Sequence, residues 1–124
     1  MNNIPKAIGP YSAYREVGNL IFVSGQLPIN PQTGKIESED ISKQTIQSLK
    51  NIEAILRSKG GSLKDIVKTT ILLDNIENFP IMNEAYGEVL EEQYPARSAY
   101  QVAALPMGAH VEIEVIASID SKQD

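Results

Sequence analysis

Arg97, Glu112, Glu114, Tyr11, Ser24 and His110 carry the side chains of this sequence that could do chemistry, and most sit at the edge of a patterned segment. Arg97 follows Pro95-Ala96 at the start of a predicted strand. A guanidinium is costly to bury unless it is paired and hydrogen-bonded, and its planar fork fits a carboxylate through two parallel bonds. Three readings are open: a structural salt bridge to one of the 16 acidic residues, a solvent-facing side chain, or a grip on a ligand's carboxylate. Glu112 and Glu114 lie in VEIEV and point to the same side of their strand. They read either as two solvated glutamates or as a source of one carboxylate that orients water or moves a proton. With a reference pKa of about 4.3, such a group is ionised at neutral pH and can serve as a base.

Tyr11, in GPYS, is a packing residue or a hydroxyl lining a site. Ser24-Gly25-Gln26 closes an apolar run, as a plain strand-ending turn or as a place where glycine lets backbone approach a ligand. His110 reads as an exposed loop histidine, with a general-base role as the alternative. One histidine supports no triad, and SGQ is no nucleophile elbow. The glycine-rich phosphate and dinucleotide loops are absent from the sequence.

Composition narrows the classes further. With no cysteine there are no disulfides, thiolate nucleophiles or cysteine metal sites, and a single histidine makes no multi-histidine site. No calcium-type carboxylate loop is present. The net charge is −5, with 11 scattered lysines and arginines, which argues against nucleic acid as a main partner. MNNIPKAIGPYS has neither the basic lead nor the apolar stretch of a signal peptide, and no segment reaches the roughly 18 apolar residues of a membrane span. The expectation is a cytoplasmic protein with one domain spanning residues 1–124.

The elements that must hold these residues are read from periodicity. Residues 13–17 and 20–24 flank Gly18-Asn19 as a hairpin, and PINPQTGK, 28–35, is a loop. Ile41, Thr45, Leu49, Ile52 and Leu56 fall at helical spacing, with candidate caps at 38–40 and Gly60-Gly61 as the stop. IVKTTILL, 66–73, is a β-branched strand. Phe79, Met82, Tyr86, Val89 and Leu90 mark a second helix that tolerates Pro80 in its first turn and is stopped by Pro95. Residues 97–102 and the alternating stretch 111–119 complete the strands, and SKQD is expected to fray. The order β-β-α-β-α-β-β predicts an α+β fold, two helices on one face of a mixed or antiparallel sheet. LIFV and IVKTTILL are apolar on both faces, so the sheet face without helices calls for closure against further copies of the chain.

AIGPYS (7–12), FVSGQLPINPQTGKI (22–36), IVKTTILL (66–73), NEAYGEVL (83–90), YPARSAYQVAALP (94–106) and VEIEVIA (111–117) occur in the order seen in the RidA family, also called YjgF, and the sequence resembles that family over nearly its whole length. The resemblance implies a chorismate-mutase-like α+β fold and a homotrimer with a central barrel and clefts between subunits. It also implies an enamine/imine deaminase needing no cofactor and no metal. Its substrates would be 2-aminoacrylate and 2-imino acids such as 2-iminobutanoate and 2-iminopropanoate, released as 2-keto acids and ammonia. By that resemblance Arg97 grips the substrate carboxylate and Glu112 positions the attacking water. Tyr11, Ser24 and Gly25 line the cleft. Ala99 stands where the family commonly has cysteine, and supplies a backbone N–H but no thiol. Two other classes stay open: a trimer that binds small carboxylates without turnover, and an endoribonuclease or translation inhibitor, against which the acidic balance counts.

Overall fold

The computed structural model describes residues 4–120; the SKQD tail lies outside them. Strands β1 (Tyr14–Val17) and β2 (Leu20–Gln26) form the expected hairpin across Gly18, whose φ of +58° suits a residue without Cβ. The predicted loop at 28–35 holds a two-rung ribbon instead, β3 (Ile29–Asn30) against β4 (Lys35–Ile36). Its tip is closed by Asn30, whose carbonyl accepts from Gly34 N and whose side chain accepts from Gln32 N.

Helix α1 (Ile41–Ser58) starts where Asp40 accepts from Lys43 N at 2.9 Å. It ends in a Schellman turn: Gly60 sits at φ +84°, Gly60 N donates to Arg57 O, and Gly61 N donates to Leu56 O. Strand β5 (Ile66–Leu73) occupies its predicted span. Helix α2 (Phe79–Leu90) carries Pro80 in its first turn. It stops at Leu90, ahead of Pro95, where Glu91 turns the chain with φ +61°. Strands β6 (Ala96–Gln101) and β7 (Val111–Ser118) follow.

Five strands make one sheet in the order β1-β2-β7-β5-β6, antiparallel except for the parallel pair β5–β6, so the sheet is mixed. Both helices cover one face. Ile21, Val23, Ile71, Leu73, Val111, Ile113 and Val115 point into the same core as Leu49, Ile52, Ile55, Leu56, Met82 and Tyr86. The period of two sends Leu20 and Phe22 of β2, Leu72 of β5, Tyr100 of β6 and Ile116 of β7 to the other face. Among the described residues no helix covers that face, and Phe22 and Tyr100 are left 40% and 56% exposed.

Two irregularities shape the site. The β2–β7 register slips between Val23, opposite Val115, and Gln26, opposite Ile113, a bulge at Ser24-Gly25. SGQ therefore continues the strand rather than ending it. Buried Asn51 of α1 donates to the carbonyls of Leu27 and Ile29 at 3.1 and 2.9 Å, which ties the β3 segment to the helix. Among the described residues no helix is long and apolar enough to cross a membrane.

Candidate functional site

The bulge aims Ser24 and Gly25 at Glu112 across the strand pair. Ser24 Oγ donates to Ser12 O at 2.6 Å and Ser24 N donates to Ala13 O at 2.9 Å, which pins the loop carrying Tyr11 against β2. Tyr11 OH accepts from Ile8 N at 3.4 Å. The result is a cavity of about 420 Å³ in which Tyr11, Ser24, Gly25 and Glu112 meet an apolar wall that includes Ile8, Leu27, Ile29 and Met107, with Lys6 also on the lining. Gly25 is required by contact: a Cβ there would lie 2.9 Å from Glu112 Cδ and closer still to Oε2. The close approach anticipated for this glycine is thus to a protein carboxylate.

Glu112 is half-buried, and among the described residues its carboxylate has no hydrogen-bond or ion-pair partner. Burial, and secondarily the charge of Glu114, pushes its pKa above the ordinary glutamate range. Glu114 points to the same sheet face but lines another cavity, with Arg15, Lys68 and Thr70, and is exposed. The two glutamates of VEIEV have different surroundings: Ser24 borders both cavities, but Tyr11 and Gly25 line that of Glu112 and not that of Glu114.

Arg97 and Ala99 are not part of that cavity. Both lie on the helix-covered face of edge strand β6, opposite Thr69 and Ile71 of β5, and the Ala99 methyl packs against the core. Arg97 Nη1 donates to Asn83 Oδ1 at 2.6 Å, and its guanidinium carbon is 5.2 Å from the Phe79 ring centroid and 5.0 Å from that of Tyr86. Its own cavity, about 380 Å³, is lined by Asn83, Tyr86, Gly87, Tyr94, Pro95 and Arg97. Among the described residues Arg97 makes no salt bridge, so the salt-bridge reading falls. Phe79, Asn83 and Tyr86 went unread as its partners, although their spacing puts an asparagine in the apolar stripe of α2.

His110 is not a free loop residue. Nδ1 is 2.8 Å from Asp74 Oδ2 and Nε2 is 2.8 Å from Glu39 Oε1, so the ring ties the start of β7 to the end of β5 and to the segment before α1. The Asp74 hydrogen bond first, and then that of Glu39, raises its pKa. Among the described residues no group of three or more histidine, aspartate or glutamate side chains is placed to hold a metal ion.

The family model described as endoribonuclease L-PSP matches residues 1–119. The chain belongs to that family. Its RidA/YjgF character is carried by the relatives. The human 2-iminobutanoate/2-iminopropanoate deaminase is 43% identical over 113 residues, covering 91% of this chain and 82% of that protein. The crystal structure of the YjgF gene product of E. coli superposes with a TM-score of 0.90 at 41% identity, over 95% of this chain and 94% of that one. The E. coli TdcF structure, which holds bound serine, gives a TM-score of 0.91 at 40% identity, over 97% and 96% of the two chains. The RidA/YjgF fold expected from the sequence is the fold observed.

Proposed function

We propose that this RidA-family protein is an imine deaminase that hydrolyses 2-iminobutanoate, 2-iminopropanoate and the related 2-aminoacrylate to 2-keto acids and ammonia. The observation that carries this reading is Glu112: a half-buried carboxylate with a raised pKa and no partner among the described residues, on the wall of a largely apolar cavity beside Tyr11 and Ser24. A base of that kind accepts a proton more readily near neutral pH than an ordinary glutamate does.

The chemistry asks for little else. The enamine gains a proton at carbon and becomes an imine. Water adds to the C=N carbon while Glu112 takes its proton, the proton passes to nitrogen, and ammonia leaves as the carbonyl forms. A protonated imine is already electrophilic, so holding it and aiming one water is the main task. Arg97 holds the substrate carboxylate in this scheme, Ser24 and Gly25 shape the cavity floor, and Tyr11 closes one side. Ala99 contributes its backbone alone.

Arg97 and Glu112 line separate cavities on opposite faces of the sheet. The reading therefore includes a homotrimer in which Arg97 of one copy meets the Glu112 cavity of the next. The uncovered sheet face, with Leu20, Phe22 and Tyr100 exposed, supports such closure.

The test is 2-keto acid release from 2-aminoacrylate made in situ by a serine dehydratase, with solution mass measured alongside. Native protein should accelerate release as a trimer, and Arg97→Ala and Glu112→Ala should each abolish the acceleration. Lys6→Ala, which removes the cation lining Glu112's own cavity, should not. No acceleration by a native protein that still binds 2-keto acids would replace the deaminase with a binding module. Loss on Lys6→Ala but not on Arg97→Ala would move the carboxylate anchor to Lys6.

A further inference from the structure

Among the described residues Arg97 is held entirely by groups that carry no charge. Its one hydrogen-bond acceptor among them is an amide oxygen, Asn83 Oδ1 at 2.6 Å, and its guanidinium lies against two aromatic rings, Phe79 and Tyr86. These partners come from one stripe of α2, at i, i+4 and i+7. Tyr86 is itself fixed, because its hydroxyl is 2.7 Å from Thr69 Oγ1 and both residues are buried. Burial pushes the Tyr86 phenol up, against the opposing pull of the Thr69 bond and the Arg97 charge, so it stays neutral. The cavity around the guanidinium has no carboxylate on its lining. Glu84 and Glu88, on the same helix, are exposed, and neither pairs with Arg97 among the described residues.

A carboxylate is the usual partner for an arginine that must be kept in place. It would hold the fork just as well, but it would neutralise the charge and compete with any incoming anion. An amide takes one of the five N–H donors and leaves both the charge and the remaining donors free.

We propose that Asn83 is a positioning and selectivity residue: it orients Arg97 while keeping the guanidinium's charge uncompensated, so that the Phe79–Asn83–Tyr86 cradle accepts a small carboxylate. This deepens the deaminase reading and rests on Arg97 as the carboxylate anchor.

The decisive substitution is Asn83→Asp, which keeps shape and acceptor but adds a charge. If Asn83 were only a structural partner of Arg97, this change would be neutral or stabilising. On the proposal it weakens binding of 2-oxobutanoate, measured by calorimetry, by about tenfold or more. It also raises KM for keto acid release with kcat little changed, as loss of uniform substrate binding requires. Asn83→Ala loses the orienting bond but keeps the charge, and is expected to weaken binding less than Asn83→Asp. Thermal melts establish that each variant is folded. Binding by Asn83→Asp within twofold of native, with Arg97→Ala defective, overturns the cradle and leaves Arg97 as the anchor. Binding by Arg97→Ala equal to native removes the anchor itself, whatever Asn83 does.

Discussion

Gly25→Ala separates the position of the carboxylate proposed as the base, Glu112, from the stability of the fold. The added Cβ would sit 2.9 Å from Glu112 Cδ and 3.1 Å from its Cγ, where carbon atoms ordinarily rest at about 3.5–4.0 Å. The Glu112 carboxylate must therefore move by about 1 Å. It can do so, because it is the end of a flexible side chain with no partner to lose among the described residues. An off-rotamer glutamate costs about 0.5–1.5 kcal/mol. Alanine recovers about 0.4–1 kcal/mol by restricting the unfolded chain, and Gly25 does not have the left-handed φ that would oppose it. The two effects nearly cancel, so the melting temperature should stay within about 4 °C of native. Turnover should not: a misplacement of about 1 Å costs on the order of 100-fold, or roughly 2.7 kcal/mol of transition-state stabilisation. Keto acid release and differential scanning calorimetry on the same sample decide the matter. Adding Gly25→Ala to Glu112→Gln should cost nothing further, since both act through one carboxylate. Turnover within threefold of native would refute the reasoning, and so would a fall in melting temperature of about 10 °C, which would mean that β2 had moved instead.

Two pH dependences follow from the same kind of bookkeeping. The folded-state pKa of Glu112 is raised, chiefly by burial, so its contribution to stability is present below the unfolded pKa and is lost as pH rises through the folded one. Glu112→Gln should therefore melt above native at pH 7 and with native at pH 4, while losing about 10²–10⁴-fold in turnover; melts across that range and one rate at pH 7 check both halves. His110 is also raised, by the hydrogen bonds to Asp74 and then Glu39. Its contribution is complete below the unfolded histidine pKa of about 6.5 and is lost as pH rises through the folded value. Native protein should lose melting temperature between pH 6 and pH 9, and His110→Asn should be flat over that window and less stable by about 1 kcal/mol or more at pH 6.

Where a single period governs a segment, the sequence was sufficient. The β-branched run 66–73 and the alternation from 111 onward gave their strands within a residue, and the apolar spacing from Ile41 gave α1 with its glycine stop. The two-residue strands β3 and β4 are too short to show a period, and what ties the β3 segment in place, Asn51, is more than 20 residues away. A bulge adds one residue without altering composition, so the continuation of β2 through Ser24-Gly25 is silent in the pattern. The candidate residues stand out in the sequence by type, but their division between two cavities does not. Arg97 and Glu112 are separated by a loop that breaks the alternation, and which face each one takes is settled only once β6 and β7 both pair with β5. The clasp around His110 escaped for the same reason, its partners Glu39 and Asp74 being distant in sequence.

The sheet order has a consequence for how the chain is made. Of the five strands of this sheet β7 is made last, yet it lies in the middle, with Leu20 opposite Ser118 on one side and Leu73 opposite Val111 on the other. Until it arrives, the β1–β2 hairpin and the β5–α2–β6 unit share no strand pairing, each has an open edge, and they are linked through α1, which packs on both β2 and α2. Neither can bury its apolar face fully without β7, so commitment to the native state waits until that strand has been made. During that interval the exposed edges of β2 and β5 are the surfaces a chaperone must guard.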